Sequence, residues 1–226
     1  SINRVQDNYV VQWGDGDAED KVKAKRLPSG LAKVSDADYV YPRSLPRPRA
    51  LDSLFVPPND VNRWTSFSRG FPVAGVGTPD SERNWPVHCY GMVGVGRDLS
   101  PDTGSGAELY SVIGHAPRHL DRNIALVGRV IEGIEHLSSL PRGTLPLGFY
   151  DVAKGEKRVP IISIRLATEL PSAEQPRFEY LSTESDSFAR YANARANRRD
   201  PFFNVPASGA DICNIPVPVR RVQGVQ

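Results

Sequence analysis

The chain has 226 residues, 39% apolar and 24% charged, which allows one or two compact domains and argues against a disordered chain. A formal net charge of +2 is too small for a general nucleic-acid or membrane surface, and no stretch approaches the roughly 18 apolar residues of a membrane helix. The start, Ser1-Ile2-Asn3-Arg4, does not read as a signal peptide and already has the character of a buried strand.

In chain order, residues 1–15 (SINRVQDNYVVQWGD) predict a hairpin. Ile2 to Val5 and Tyr9 to Trp13 are strand-like, and Asp7-Asn8 supplies turn chemistry. From Gly16 to about Trp85 the character changes. Lys21 to Lys25 alternate lysines with small residues, and prolines recur at Pro28, Pro42, Pro46, Pro48, Pro57, Pro58, Pro72 and Pro79. Proline at this frequency argues against a long run of regular sheet, because each one removes a backbone donor. Yet Tyr39, Tyr41, Leu51, Leu54, Phe55, Trp64, Phe67 and Phe71 are too apolar for a free linker. The segment therefore reads as an ordered, packed insertion.

Regular structure resumes at Val87 to Val93 (VHCYGMV), a β-like run. Residues 100–106 read as a loop and 108–114 as a strand. Residues 125–130 read as another strand, with Gly128 marking a bulge or a close approach. Residues 131–140 (IEGIEHLSSL) carry helical spacing at Ile131, Ile134 and Leu137, and Pro141 ends the helix. Residues 159–166 predict a final apolar, β-branched strand. Further on, Thr183 or Ser185 can cap a helix reaching about Arg199, with Arg195, Arg198 and Arg199 in its last turn, where cations suit the helix dipole. A solvated helix face explains those arginines more simply than a binding patch. The tail from Pro201 onward is extended and proline-rich.

Several chemistries lack their residues. Gly94-Val95-Gly96 has no third glycine for a dinucleotide fingerprint. Gly104-Ser105-Gly106 is not a hydrolase elbow but a flexible loop. His88, His115, His119 and His136 have no metal-ligand spacing and read as surface or packed residues. No cofactor and no metal is implied. Cys89 and Cys213 are too far apart for a CxxC site. They are either two buried thiols or one long-range disulfide, which the chain-entropy model values at about 4–5 kcal/mol.

Two separated segments carry a family resemblance. The stretch from Arg4 through Gln12-Trp13-Gly14-Asp15 is similar to the pattern R-x4-F-M-x-Q-G-G-D. Gly104-Ser105-Gly106-Ala107-Glu108-Leu109-Tyr110, His119-Leu120-Asp121 and Leu126-Val127-Gly128-Arg129-Val130-Ile131-Glu132-Gly133 resemble the blocks N-G-S-Q-F-F, W/H-L-D-G and V-F-G-R-V-x-E-G, in the same order and at similar spacing. Both sets look like the cyclophilin-type peptidyl-prolyl isomerases, over residues 1–15 and about 87–168. The resemblance implies a mainly β fold with some α, a closed barrel capped by helices. It also implies isomerisation of X–Pro bonds in folding proteins, with no cofactor.

Carried over by position, Arg4 is the expected catalytic arginine and Gln12 its partner. Tyr9, Val10, Tyr110 and Leu120 form the proline pocket. Glu108, His119 and Gly94 complete the substrate-binding set, Gly94 where the family has an asparagine, and Ile124 stands where many members have a histidine. The chemistry suits these residue types. Turning an X–Pro amide meets a barrier of about 18–20 kcal/mol, and the enzyme must bind the twisted amide better than either planar form. A guanidinium can hold the prolyl nitrogen or the preceding carbonyl while an apolar pocket fixes the ring. The departures are Val10, smaller than methionine, the added hydroxyls of Tyr9 and Tyr110, and Glu108, whose charge would weaken Arg4 if the two paired. Partners are then proline-containing peptides, unfolded proteins and cyclosporin-like ligands, with no nucleic acid and no membrane. A non-catalytic proline-peptide binding or scaffold module is the alternative.

The resemblance also implies two strands and a helix before Arg4, absent from this sequence, so a preceding N-terminal segment of the same protein is expected to complete the barrel. The insertion 16–86 and the extension 169–226 are expected to pack as an accessory module, as in extended bacterial cyclophilins of the AquaCyp type. A Cys89–Cys213 bond would then tie the module down and place the protein in a periplasm or another exported, oxidising compartment.

Overall fold

The computed structural model describes residues 1–18, 20, 22–42, 44–52, 54–55, 63–78, 81–206 and 208–222. Lys21, Pro57, Pro58 and Pro79 lie outside them. The described strands are Ile2–Val5 (β1), Val10–Gly14 (β2), Arg63–Ser68 (β3), Phe71–Val76 (β4), Arg83–Pro86 (β5), Met92–Val95 (β6), Glu108–Val112 (β7), Leu126–Arg129 (β8), Phe178–Tyr180 (β9) and Val219–Arg221 (β10). The helices are Ile134–Ser138 (α1) and Asp186–Ala196 (α2), with single 3₁₀ turns between. The residues fall into two compact units, Ser1–Tyr39 with His88–Ile164 and Val40–Val87 with Arg165–Gln226.

The first unit is built on an antiparallel sheet in the order β1-β2-β7-β6-β8. The opening hairpin forms as its alternation predicts, with Arg4 opposite Gln12, Val5 opposite Val11, and Asn8 left-handed in the turn. Because side chains alternate along a strand, Val10 and Val11 are both buried but on opposite faces. Val11 joins Ile2, Val5, Ile113 and Tyr150 in one cluster, which Ile134 and Leu137 of α1 cover. Val10 joins Tyr110 and Val112 in the other, flanked by Tyr9, Leu120 and Ile124. Paired registers run one row across all five strands, Arg4–Gln12–Tyr110–Gly94–Leu126, and this row belongs to the second face.

Several expectations for this unit are corrected. The mainly β fold with few helices is present, and among the described residues its sheet is open: β1 and β8 are its two ends, and beyond β1 only the bridges Ile2–Val159 and Arg4–Phe149 continue it. Of the expected strand 87–93 only Met92 and Val93 lie in a strand, β6, which runs on to Val95. The His88 main-chain N–H is taken by the Asp121 carboxylate, and a turn from the Cys89 carbonyl to the Met92 N–H, with Gly91 left-handed, precedes β6. Residues 159–166 contribute one bridge and no strand. Pro160 follows at once, and Ile162 and Ile164 are 99% and 73% exposed. The helix of 131–140 shortens to α1 because Gly133, at φ 81°, breaks the chain before Ile134 and leaves Ile131 outside. The irregularity expected near Gly128 is a bulge, at the Val93–Gly94 step of the β6–β8 pair, and no close approach accompanies it.

The second unit holds the meander β3-β4-β5, the pair β9–β10 and α2. A regular sheet in this proline-rich stretch departs from expectation. Among its described prolines only Pro72 and Pro86 lie in strands, Pro86 as the last residue of its own, while Pro42, Pro46 and Pro48 fall outside. Phe67 and Phe188 are fully buried and meet edge to face at 4.9 Å, and Phe55 packs on Phe67 at 6.0 Å. Arg47, buried in this unit, holds Glu82 at 2.6 Å and Asp52 at 3.1 Å and lies over the Trp64 ring at 3.5 Å. Ser185, not Thr183, caps α2, accepting from the Phe188 N–H at 3.1 Å. Thr183 is buried and accepts from the Gly70 N–H. The helix ends at Ala196, so Arg198 and Arg199 lie beyond it. Both cysteines are disulfide-bonded.

Candidate active site

The cross-strand row sets the site. Arg4 stands on β1 beside Gln12 on β2, and its guanidinium is held from three directions. Nε donates to the Leu147 carbonyl at 2.6 Å, Nη1 to Gln12 Oε1 at 3.3 Å, and Nη2 to Gln6 Oε1. The cation lies over the rings of Tyr9, at 5.7 Å, and Phe149, at 5.5 Å. Burial pulls its pKa below the ordinary arginine value, with Tyr9 and Glu108 opposing, and a guanidinium so shifted is still a cation at neutral pH. Of its five N–H donors, three are engaged and two have no partner among the described residues.

Glu108 does not bond Arg4. Its carboxylate accepts from Gln12 Nε2 at 2.9 Å and from Asn3 Nδ2 at 3.3 Å, so Gln12 stands between the two charges. Tyr110 is buried, which raises its phenol pKa, and its hydroxyl meets His88 Nε2 at 2.8 Å. Burial works to raise the Asp121 carboxyl, but hydrogen bonds from His88 and Arg118 outweigh it and hold the group below the usual range.

Arg4, Tyr9, Val10, Gln12, Glu108, Tyr110 and Leu120 line one groove of about 1480 Å³, together with Ile124 and Phe149. Two expected residues do not line it. Gly94 lies behind the wall, where a Cβ would come within 2.3 Å of the Tyr110 ring. His119 stacks on Tyr9, centroids 6.1 Å apart, with Nε2 at 3.5 Å from the Tyr9 hydroxyl. Conversely, Leu27, Leu31 and Val34 face the groove although their segment reads as part of a separate insertion. Thr103 Oγ1 donates to the Val34 carbonyl at 2.8 Å and Ser100 Oγ to Asp36 at 3.0 Å, which pins that segment to the 97–104 loop. Phe149 and Leu147, in an irregular stretch, carry no sequence signal of their own. Among the described residues, no group of three His, Cys, Asp or Glu side chains is placed to hold a metal.

A chain that presents a clamped guanidinium beside an apolar groove on an antiparallel sheet has the equipment of a non-covalent isomerase. The family model described as "Cyclophilin type peptidyl-prolyl cis-trans isomerase/CLD" matches residues 1–166, and the chain belongs to that family. Peptidyl-prolyl cis-trans isomerisation is its reaction, and the family binds proline-containing peptides and cyclosporin-like ligands. Among solved structures, cyclophilin AquaCyp293 from Hirschia baltica is similar, with a TM-score of 0.67 and 19% sequence identity over 100% of this chain and 77% of that one. That likeness is one of fold. No curated protein matches significantly.

Proposed function

We propose that Arg4 is the catalytic residue and that Gln12 holds it. The prolyl ring sits against Tyr9, Val10, Tyr110 and Leu120, and one or both free N–H groups of Arg4 meet the amide as it twists. No bond is made or broken. Twisting localises a lone pair on the prolyl nitrogen, and a charge-assisted hydrogen bond to it is stronger in the twisted state than in either planar state. The observation that carries this reading is the row Arg4–Gln12–Tyr110 beside one apolar groove. His119 and Gly94 act indirectly, His119 by stacking on Tyr9 and Gly94 by leaving space for Tyr110. Glu108 draws one Gln12 donor and lowers activity.

The roles are tested by kcat/KM on a series of X–Pro peptides. Arg4→Lys keeps the charge but loses the planar fork and is expected to cost at least about tenfold; Gln12→Ala is expected to cost about tenfold. Full activity in both variants would remove both assignments.

We also propose that the insertion and the C-terminal extension form an accessory module, with the barrel-like part at 1–15 and 87–168. The packing of Phe67, itself against Phe55, on Phe188 supports this. The disulfide supports an exported, oxidising location.

A further inference from the structure

Beneath the groove runs a buried polar chain that the mechanism above does not use. His88 is fully buried, and both its ring nitrogens are engaged. Nδ1 meets Asp121 Oδ1 at 2.9 Å, and Nε2 meets the Tyr110 hydroxyl at 2.8 Å. The same carboxylate oxygen accepts the His88 main-chain N–H at 2.9 Å, and Asp121 Oδ2 accepts from Arg118 Nε at 2.7 Å. An ionised carboxylate only accepts, so the proton on this edge of the ring is on Nδ1. In the neutral imidazole Nε2 is then the acceptor, and Tyr110 donates to it. The two rings lie nearly parallel, 10° apart, with centroids at 6.2 Å. Gly94 completes the enclosure, since a Cβ there would meet Tyr110 Cζ and Oη at 2.3 Å. Burial holds the phenol in its protonated form, so the donor is retained.

From this geometry we infer that His88 and Asp121 are positioning residues of the isomerase: Asp121 fixes the His88 tautomer, and His88 fixes the Tyr110 hydroxyl and so the wall on which the prolyl ring packs. The inference rests on the assignment of Tyr110 to the proline pocket. A tyrosine wall brings a hydroxyl that must be satisfied inside an apolar cluster, and the histidine beneath it satisfies the hydroxyl and restrains ring rotation at once. The pair acts through Tyr110 and touches neither Arg4 nor Gln12, so its loss falls on substrate binding.

The test is a double-mutant cycle on the full chain, with KM and kcat measured separately on an X–Pro peptide. Tyr110→Phe is expected to raise KM about fivefold and leave kcat within about twofold, the scale of one neutral hydrogen bond. His88→Phe is expected to raise KM by a similar factor in the wild-type background and to add nothing in Tyr110→Phe. If His88→Phe does not fold, Asp121→Asn takes its place in both backgrounds. Long-range ¹H–¹⁵N NMR is expected to show the Nδ1–H tautomer of His88 in the wild type and a shift toward Nε2–H in Asp121→Asn. Equal losses in the two backgrounds, or Nε2–H in the wild type, would overturn the inference. An unchanged KM in Tyr110→Phe, with activity still lost in Arg4→Lys, would overturn it while leaving the catalytic reading intact. Full activity in Arg4→Lys would overturn the catalytic reading itself.

Discussion

The charge of Glu108 is the feature of the site most open to adjustment by a single atom. Its carboxylate reaches Arg4 only through Gln12. Glu108→Gln keeps a hydrogen-bonding group at that place and removes the negative charge. It is expected to raise kcat/KM on neutral peptides by up to about fivefold, the scale of a partly exposed charge interaction; a loss in the same peptide assay would show that the carboxylate helps Arg4 instead. Asp121 acts on stability. Its folded-state pKa lies below the ordinary value, so its contribution is fully present above the unfolded value, about 3.9, and is lost as pH falls through the folded one. Wild type is expected to lose more thermal stability than Asp121→Asn as pH falls from about 5 to about 2, as acid-series melts would record. That Arg4, Tyr9, Val10, Gln12, Glu108, Tyr110 and Leu120 share one groove was legible in the sequence through the family blocks, which align them by position. Phe149 and the Leu147 carbonyl were not, because a long-range contact with an irregular segment leaves no periodic trace.

At the scale of elements, local patterns predicted what local forces decide. The Ile2–Val5 and Val10–Gly14 hairpin follows from alternation and the Asp7-Asn8 turn, and Ser185 caps α2 through an ordinary side-chain bond to a free N–H. Strand extent was less legible. The run 87–93 is apolar throughout, but a carboxylate from a distant loop captures the His88 N–H and no composition signal announces it. Residues 159–166 have strand composition, yet after Val159 their backbone pairs with no described strand. In the second unit, Arg47 supports the β3-β4-β5 meander by neutralising buried Glu82 and by lying on Trp64. Arg47→Met would take the Arg47 hydrogen bonds from that buried carboxylate, and chemical denaturation is expected to show a loss of about 2–3 kcal/mol. A loss below about 1 kcal/mol would mean that Glu82 is satisfied by other groups.

For the whole molecule, the disulfide state and the distribution of segments matter most. The two readings of the cysteines were equal in the sequence, because separation alone cannot tell paired from buried thiols; both are bonded. Reduction is expected to lower stability by about 4–5 kcal/mol in the chain-entropy account, seen as a fall in melting temperature with dithiothreitol and its absence in Cys213→Ser. Two reactive thiols in the denatured, unreduced protein would contradict the bond. Residues 16–39 read as part of an insertion from their prolines and charges, while Leu27, Leu31 and Val34 face the groove of the first unit, a contact over a long sequence separation that composition does not announce. The family, its mainly β character and its reaction were legible from motifs in under half of the chain, while the closure of the barrel was not. The central claim is that Arg4 stabilises the twisted prolyl amide. It is tested most directly by exchange NMR on an X–Pro peptide at equilibrium, where cis–trans interconversion is read as line exchange with wild type and with Arg4→Ala. The account predicts catalysed exchange with wild type, an exchange rate at least about 100-fold lower with Arg4→Ala, and the same cis-to-trans ratio with both; equal exchange rates for the two proteins would contradict it.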